Sequence, residues 1–465
     1  MNNRDLRVAM ISEHGDPLAP IGGQQSGGQN IYVYELARSL SKIGVKVDVF
    51  TRHENPADPT VELFAPKARV IRLKAGPMRF VSKEKFDAIM PFFLEEFFGF
   101  IKRKKIKYDL IHSHYYYSGW AGVKIKETLD IPLVATFHSL GVVKRKAMGL
   151  EDKSPDKRLL IEKEVMDRAD HIVAVSPDEK RNIVKEYKIN SRKVTVVPPG
   201  VNFEKFTPLA KDRARRIAEI DSKSKVIVFA GKLDRGKGVF TLIEAVNFLK
   251  KHWPLLYKDL IVYIFSGDPR GNANYSRQDR NLKREFFSLI NEYGLADKIR
   301  LKPAIEQVKL HTFYAAADVI VMPSLYETFG LVAVEAMATV RPVIASKVGG
   351  LKWSIINGTT GLHAKPQNPK DFALQIVKVL QDEEWAQTLG INAYLRVRSN
   401  FNWFWTSREI LEIYKSLIIG YKDSFVTLNI ITQKTRNTIY RFPNQISETL
   451  KRTKIGVATS LRKKI

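Results

Sequence analysis

The chain has 465 residues, 44% of them apolar and 10% aromatic, which is enough for packed cores in two or three domains and excludes wholesale disorder. Lys and Arg number 76 against 49 Asp and Glu, a formal charge of +27 that calls for anionic partners without choosing among phosphorylated metabolites, nucleic acid and an acidic membrane face. There is no cysteine, so disulfides, thiolate metal sites, iron–sulfur clusters and thiol catalysis are excluded, in keeping with a reducing, cytoplasmic setting.

The start does not read as an export signal, because Arg4, Asp5 and Arg7 interrupt it and Val8–Ile11 is too short for a signal core. Leu6–Ile11, Val45–Thr51, Leu110–Ser113, Leu133–Phe137, His171–Ser176 and Val194–Val197 read as strands. They are apolar on consecutive positions and rich in β-branched residues, as strands covered on both faces must be. Between them, Gly28–Ile43 carries Ile31, Leu36, Leu40 and Ile43 at helical spacing. Arg158–Ala169 and Pro177–Tyr187 also read as helices, the second with Ser176-Pro177 as cap and first turn. The most apolar later stretch, Phe92–Ile101, is broken by Glu95 and Glu96. No segment approaches the roughly 20 apolar residues that span a bilayer.

A second series follows the junction marked by Pro198-Pro199-Gly200, Pro208 and the charged stretch Lys211–Lys225. Its strands are Lys225–Ala230, Leu260–Ser266, Ile299–Lys302, Val319–Pro323 and Pro342–Ala345; its helices are Phe240–Lys251, Arg280–Tyr293, Gln307–Ala316 and Gly330–Ala338. Strand and helix alternate in both series, so the pattern predicts an α/β chain with two parallel-sheet halves and a cleft between them. One more helix, Thr406 to about Tyr421, follows Phe401-Asn402-Trp403. Residues 423–465 hold nine Lys or Arg against Asp423 and Glu448. That composition fits either a solvated basic tail or a membrane-surface helix with Ile446, Leu450, Val457 and Leu461 on one stripe.

Three segments carry chemistry. The loop His14–Gly28 between the first strand and helix contains Gly22-Gly23 and Gly27-Gly28, which let a ligand approach backbone amides at a helix start. It lacks the G-x-G-x-x-G fingerprint and a following ribose acid, which argues against hydride transfer with a dinucleotide. In the second half, Lys232 and Lys237 flank a glycine-rich turn and can both reach a diphosphate, neutralising charge on a departing group. Pro323–Met337 then presents Glu327 in a loop, a helix start at Phe329, Gly330 and Leu331, and Glu335 along the helix. Amides there suit an anion or hydroxyl oxygen, and the two carboxylates suit sugar hydroxyls. His112 and His114 lie two apart with no third ligand in evidence, which favours core or pocket histidines over a metal site.

Together with Gly27-Gly28-Gln29, Tyr32, Val33, Glu35, Leu36, Ala37, Asp48–Arg52, His112–Gly119, Thr136-Phe137-His138, Ala169–Pro177 and Val196–Val201, these segments resemble the retaining nucleotide-sugar glycosyltransferases of the group 1 family over residues 5–420. The likeness is closest to the branch of sucrose-phosphate synthases and inositol-phosphate N-acetylglucosaminyltransferases. It implies the GT-B fold of two facing Rossmann-like domains: an acceptor-binding domain at 1–205, a nucleotide-sugar-binding domain at 206–400, and a crossing helix at 401–422 that returns to the first domain. The tail at 423–465 lies beyond it.

The resemblance assigns Lys232 and Lys237 to the donor diphosphate, Glu335 to the ribose hydroxyls, and Glu327 with the amides of Phe329, Gly330 and Leu331 to the donor sugar. It sets His138 beside the anomeric centre and Gly27 and Gly28 under the diphosphate. Lys232 stands where many relatives have Arg, which keeps charge and loses the bidentate fork. Ala75-Gly76-Pro77 and Lys85-Phe86-Asp87 resemble the branch with phosphorylated acceptors. In that branch Asn30, Lys85, Tyr115, Ser139 and Arg158 would contact the acceptor, with Lys83 and Lys157 as neighbouring alternatives.

The expected reaction is therefore transfer of a hexosyl group, from a UDP-linked sugar as donor substrate, to a small phosphorylated sugar or polyol. Neither a cofactor nor a metal is expected. A covalent route to retention needs a carboxylate on the face opposite the leaving group. The resemblance supplies none, so it implies front-face substitution. The alternative is a lipid or polysaccharide acceptor at the inner membrane face, reached through the basic tail. Nucleic acid is not an expected partner, because the motifs gather at strand ends and not on an aromatic–basic face. A non-hydrolysing sugar-nucleotide epimerase would share the architecture without needing the acceptor segments.

Overall fold

The computed structural model describes residues 6–20, 22, 27–152, 154–267 and 277–420. Gly23 of the glycine-rich loop, Tyr421 and the basic tail lie outside the described residues. The first half forms an eight-stranded sheet from β1 (Arg7–Ile11), β2 (Lys46–Arg52), β3 (Val61–Ala65), β4 (Ala68–Leu73), β5 (Leu110–His114), β6 (Leu133–Thr136), β7 (His171–Ala174) and β8 (Val194–Val196). The second half forms a six-stranded sheet from β9 (Lys225–Ala230), β10 (Leu260–Phe265), β11 (Ile299–Lys302), β12 (Val319–Met322), β13 (Val343–Ser346) and β14 (Leu362–Ala364). Spatial orders are β3-β4-β2-β1-β5-β6-β7-β8 and β11-β10-β9-β12-β13-β14. All pairs are parallel except β3 with β4.

Each sheet reverses its winding at one place: between β1 and β5 in the first, and between β9 and β12 in the second. Helices leave opposite faces on the two sides of such a point, so a crevice opens at the carboxyl ends of those strands. Central strands are buried on both faces, as Val8, Ala9, Met10 and Ile11 show. That is why consecutive apolar residues identified them.

Three strands escaped that pattern, one of them β14, an edge strand of only three residues that includes His363. β3 is an edge strand with Glu62 between the exposed Val61 and Leu63. β4 carries Arg69 and Arg72, which pair with Asp48 at 2.7 Å and Asp16 at 2.6 Å. Buried ion pairs formed by distant residues make a core strand look polar. The charged stretch Lys211–Lys225, expected as a junction, instead folds into the second half. Its helix Lys211–Ile217 buries Arg215, which donates to Asp318 at 2.9 Å and to the carbonyl of Ser222 at 2.6 Å.

The halves are joined twice at one place. Val201 N–H donates to the Phe401 carbonyl at 3.0 Å, and Thr406 Oγ1 donates to the Pro198 carbonyl at 2.8 Å. From there the helix Trp403–Ile419 packs on Gly28–Lys42 of the first half. It begins three residues before the expected Thr406, because Asn402 caps it by accepting from Phe404 N–H. A Cβ on Gly200 would lie 2.1 Å from the backbone nitrogen of Trp403 and 2.5 Å from the carbonyl carbon of Asn402. Gly200→Ala is therefore expected to destabilise the chain by about 1–3 kcal/mol, read as a lower midpoint of thermal unfolding. An unchanged midpoint would show that the two passages of chain can part without cost.

Candidate active site

A cavity of about 830 Å³ lies between the two winding-reversal points. On its second-half wall, β9 runs into the turn Arg235–Lys237, where Asp234 Oδ1 accepts from Lys237 N–H at 2.7 Å. Gly238 holds this turn against the next strand, with φ +71° and an imagined Cβ only 1.9 Å from the Pro323 carbonyl oxygen. No other residue fits both the angle and the approach. Beyond β12, the loop to the helix Leu331–Ala338 brings Glu327 to Lys237, Oε2 to Nζ 2.8 Å. Removal from bulk water opposes the Lys237 ammonium, but Glu327 and then Asp234 outweigh it and raise its pKa, so it stays charged. Lys232, Phe329, Gly330, Leu331 and Glu335 line the same wall.

Glu335 is buried and accepts from Gln307 Nε2 at 2.8 Å, while Gln307 Oε1 in turn accepts from Lys205 Nζ at 2.9 Å. Burial pushes the Glu335 carboxyl up to about 8, against the opposing pull of Gln307 and Lys205. The ordinary surface helix acid is thereby excluded for this residue.

The first-half wall is built from the carboxyl ends of β1, β5 and β6. Gly27 and Gly28 open the helix Gly28–Lys42, and Asn30 ties the loop down: its Oδ1 accepts from Gly27 N–H at 3.0 Å and its Nδ2 donates to the Asp16 carbonyl at 2.8 Å. A Cβ on Gly28 would stand 3.5 Å from Leu331 Cδ1, so this loop already meets the opposite wall. Tyr115 and His138 line the cavity with φ of 86° and 60°. Left-handed backbone at non-glycine residues is strained and concentrates at functional sites.

Arg158 is buried and donates from Nε to Glu162 at 2.7 Å and from an Nη to the Ser139 carbonyl at 2.8 Å. Its guanidinium carbon lies 5.2 Å from the centre of the Tyr115 ring. Lys144 stands beside this group, held by Asp152 at 3.0 Å. A buried, paired cation with further N–H groups at a cavity wall is suited to a phosphate.

Fourteen of the fifteen expected site residues therefore share one cavity, and Lys85 does not line it. Lys85 sits on the turn Lys83–Ala88, where the adjacent Phe86 is buried in the core, so Lys85 is directed to solvent at the rim, one turn beyond the lining residue Ser82. The alternative Lys157 is taken by Asp87. Lys144 and Gln307 also line the cavity without having carried a local signal, and His14, read only as the start of the glycine-rich loop, lines it too. His14 makes a 2.6 Å contact from Nδ1 to the buried Glu13. His112 and His114 are core residues, in keeping with the sequence expectation.

Residues 26–205 match the family model described as Glycosyltransferase Family 4, and residues 210–396 match Glycosyl transferases group 1. The chain is 36% identical over 413 residues to the D-inositol 3-phosphate glycosyltransferase of Corynebacterium efficiens, covering 88% of this chain and 95% of that protein. Its counterpart from Corynebacterium diphtheriae is 34% identical, over 88% of this chain and 94% of that protein. Among solved structures, sucrose-phosphate synthase from Thermosynechococcus elongatus superposes with a TM-score of 0.82 at 35% identity, over 89% of this chain and 99% of that one.

A carboxyl whose folded pKa is raised binds its proton more tightly in the folded state, so its effect on stability becomes unfavourable as pH rises from the unfolded value toward the folded one. For Glu335 that window runs from the ordinary carboxylate range to about 8. Glu335→Gln is expected to match the wild-type unfolding midpoint at the acidic end of this window and to exceed it at the alkaline end. The buried Glu179, also pushed up to about 8, adds the same slope to both proteins and cancels in the difference. A difference that does not grow with pH would contradict the assignment.

Proposed function

Because the chain belongs to the group 1 glycosyltransferases, with a first half matching glycosyltransferase family 4, we propose that it moves a hexosyl group from a UDP-linked sugar to a small phosphorylated sugar or polyol, with retention at the anomeric carbon. The observation that carries this reading is a pair of cationic walls in one cavity: Lys232 and Lys237 on the second half, Lys144 and Arg158 on the first. One wall suits the diphosphate of a donor and the other, which also carries His138, the phosphate of an acceptor. The names of the relatives support it, since D-inositol 3-phosphate and sucrose phosphate are both phosphorylated small molecules.

In this reading the bond from the anomeric carbon to the leaving phosphate oxygen breaks while the acceptor oxygen forms its bond on the same face. The acceptor's proton passes to that phosphate oxygen. Lys232, Lys237 and the helix-start amides at Phe329, Gly330 and Leu331 would neutralise the growing charge. Glu335 would hold the ribose hydroxyls and Glu327 the donor sugar, releasing part of its hold on Lys237. Burial, and then nearby His14, push His138 down to about 3, so it would act as a neutral imidazole with no charge to transfer.

Among the described residues, the acidic residues that line the cavity are Asp234, Glu327 and Glu335, which all stand on the donor wall and each have a partner. That supports front-face chemistry over a covalent intermediate. Among the described residues no group of three His, Asp or Glu gathers to hold a metal.

A lipid or polysaccharide acceptor at a membrane face is the second reading, favoured by the +27 charge and the nine basic residues of 423–465. Among the described residues no helix is long and apolar enough to cross a membrane.

Thermal-shift measurements with nucleoside diphosphates, followed by mass-spectrometric turnover of phosphorylated polyols in lipid-free buffer, test the proposal. UDP is expected to raise the unfolding midpoint, and the product is expected to keep the donor's anomeric configuration by NMR. Absence of stabilisation by every nucleoside diphosphate would remove the donor assignment, and turnover only with lipid or polysaccharide acceptors would favour the second reading. Lys237→Ala is expected to lower kcat by about 10²–10³-fold. Lys144→Ala is expected to raise the acceptor KM about tenfold and spare the donor KM, whereas equal effects on both would argue against an acceptor phosphate at that wall.

A further inference from the structure

On the reading that His138 meets the donor sugar, we infer that His114 is its positioning residue: His114 donates its Nδ1 proton to Nε2 of His138, which leaves the proton of His138 on Nδ1. A sugar hydroxyl touching His138 then meets an N–H donor and must accept from it.

The two nitrogens lie 3.0 Å apart, with the rings stacked at 5.2 Å and 27°. Neither imidazole is charged, because burial pushes both below the ordinary histidine range. One proton therefore lies between Nδ1 of His114 and Nε2 of His138, and either ring could own it. The other nitrogen of His114 decides which. Its Nε2 is buried and meets no hydrogen-bond partner among the described residues. A buried N–H without an acceptor costs more than a buried lone pair without a donor, and such orphaned N–H groups are rare. His114 thus keeps its proton on Nδ1, and His138 receives at Nε2.

The surroundings prevent the rings from turning to another answer. His112 lies at 4.3 Å from the His114 ring and is itself held at both nitrogens, by the Tyr414 hydroxyl at 2.6 Å and Thr136 Oγ1 at 2.9 Å. Tyr414 belongs to the crossing helix Trp403–Ile419. Tyr32 meets both rings, His138 edge-on at 4.8 Å and His114 at 5.7 Å, and rests on Trp403 of the same helix at 5.3 Å. The left-handed backbone of His138, φ 60°, completes the restraint.

Long-range proton–nitrogen correlation spectra of the full chain, labelled in histidine and recorded near neutral pH, read the tautomer directly. The His138 signals are assigned by their loss in His138→Gln. The Nδ1–H form is expected, and an Nε2–H pattern in the wild type would overturn the assignment. His114→Phe keeps a ring and removes the donor. It is expected to convert His138 wholly or partly to Nε2–H and to lower kcat about tenfold.

An unchanged His138 tautomer in His114→Phe would also overturn the assignment. His114→Asn, whose amide can donate from near the Nδ1 position, is expected to restore the Nδ1–H pattern. Should the Phe variant fail to fold, the wild-type spectrum and the Asn variant decide. Lack of turnover with any nucleotide sugar beside an intact Nδ1–H pattern would count against the function proposed above and not against the role of His114.

Discussion

The cleft depends on one close approach of backbone to backbone, where the chain leaves the first half at Pro198–Asn202 and returns to it at Phe401–Trp403. Gly200 lets these two passages touch, since any Cβ there would sit 2.1 Å from the Trp403 nitrogen. The Val201–Phe401 hydrogen bond and the Thr406–Pro198 hydrogen bond lock the same point. From this lock the two sheets project with their strand ends toward each other. Ser176 Oγ then donates to the Thr328 carbonyl at 2.7 Å, a direct bond between the halves at the edge of the cavity. The facing walls are thus a consequence of chain path before they are a matter of side chains.

Within that frame the site keeps its charges by pairing them. Lys237 has Glu327, Arg158 has Glu162, and Lys144 has Asp152. Unpaired charges removed from water would neutralise themselves or pull the wall open. The pairs hold cations in place before any substrate arrives, and all three cations line the cavity. Glu335 illustrates the opposite case. Its neutral partner Gln307 does not offset the loss of hydration, so its carboxyl is pushed up to about 8.

The histidines at the carboxyl ends of β5 and β6 differ again. His112 and His138 are pushed down to about 3 by burial, so they act through direction and not through charge. The crossing helix takes part in that directing. Tyr414 and Trp403 reach the group from two sides, so an element that closes the fold also shapes the donor end of the cleft. The wall that holds a sugar and the helix that holds the two halves together are mechanically one piece.

The local sequence determined a good deal. Continuous apolar runs identified the central strands, because burial on both faces leaves no polar alternation to hide them. Glycine and lysine spacing identified the turn at 231–238, where φ and backbone approach at Gly238 admit no other residue. Family motifs led to fourteen residues that line one cavity. What the sequence could not show is what distant residues do to each other. β4 was hidden because Arg69 and Arg72 find carboxylates 21 and 56 positions away. Lys85 is directed to solvent because the neighbouring Phe86 is required by the core. Lys144 and Gln307 reach the walls only through the packing of their helices. His114 and His138, 24 residues apart, became partners when β5 and β6 paired. Short-range pattern is set by the pitch of a helix and the pleat of a strand, whereas charge pairing, burial and proton ownership belong to neighbours that exist only once the chain has closed.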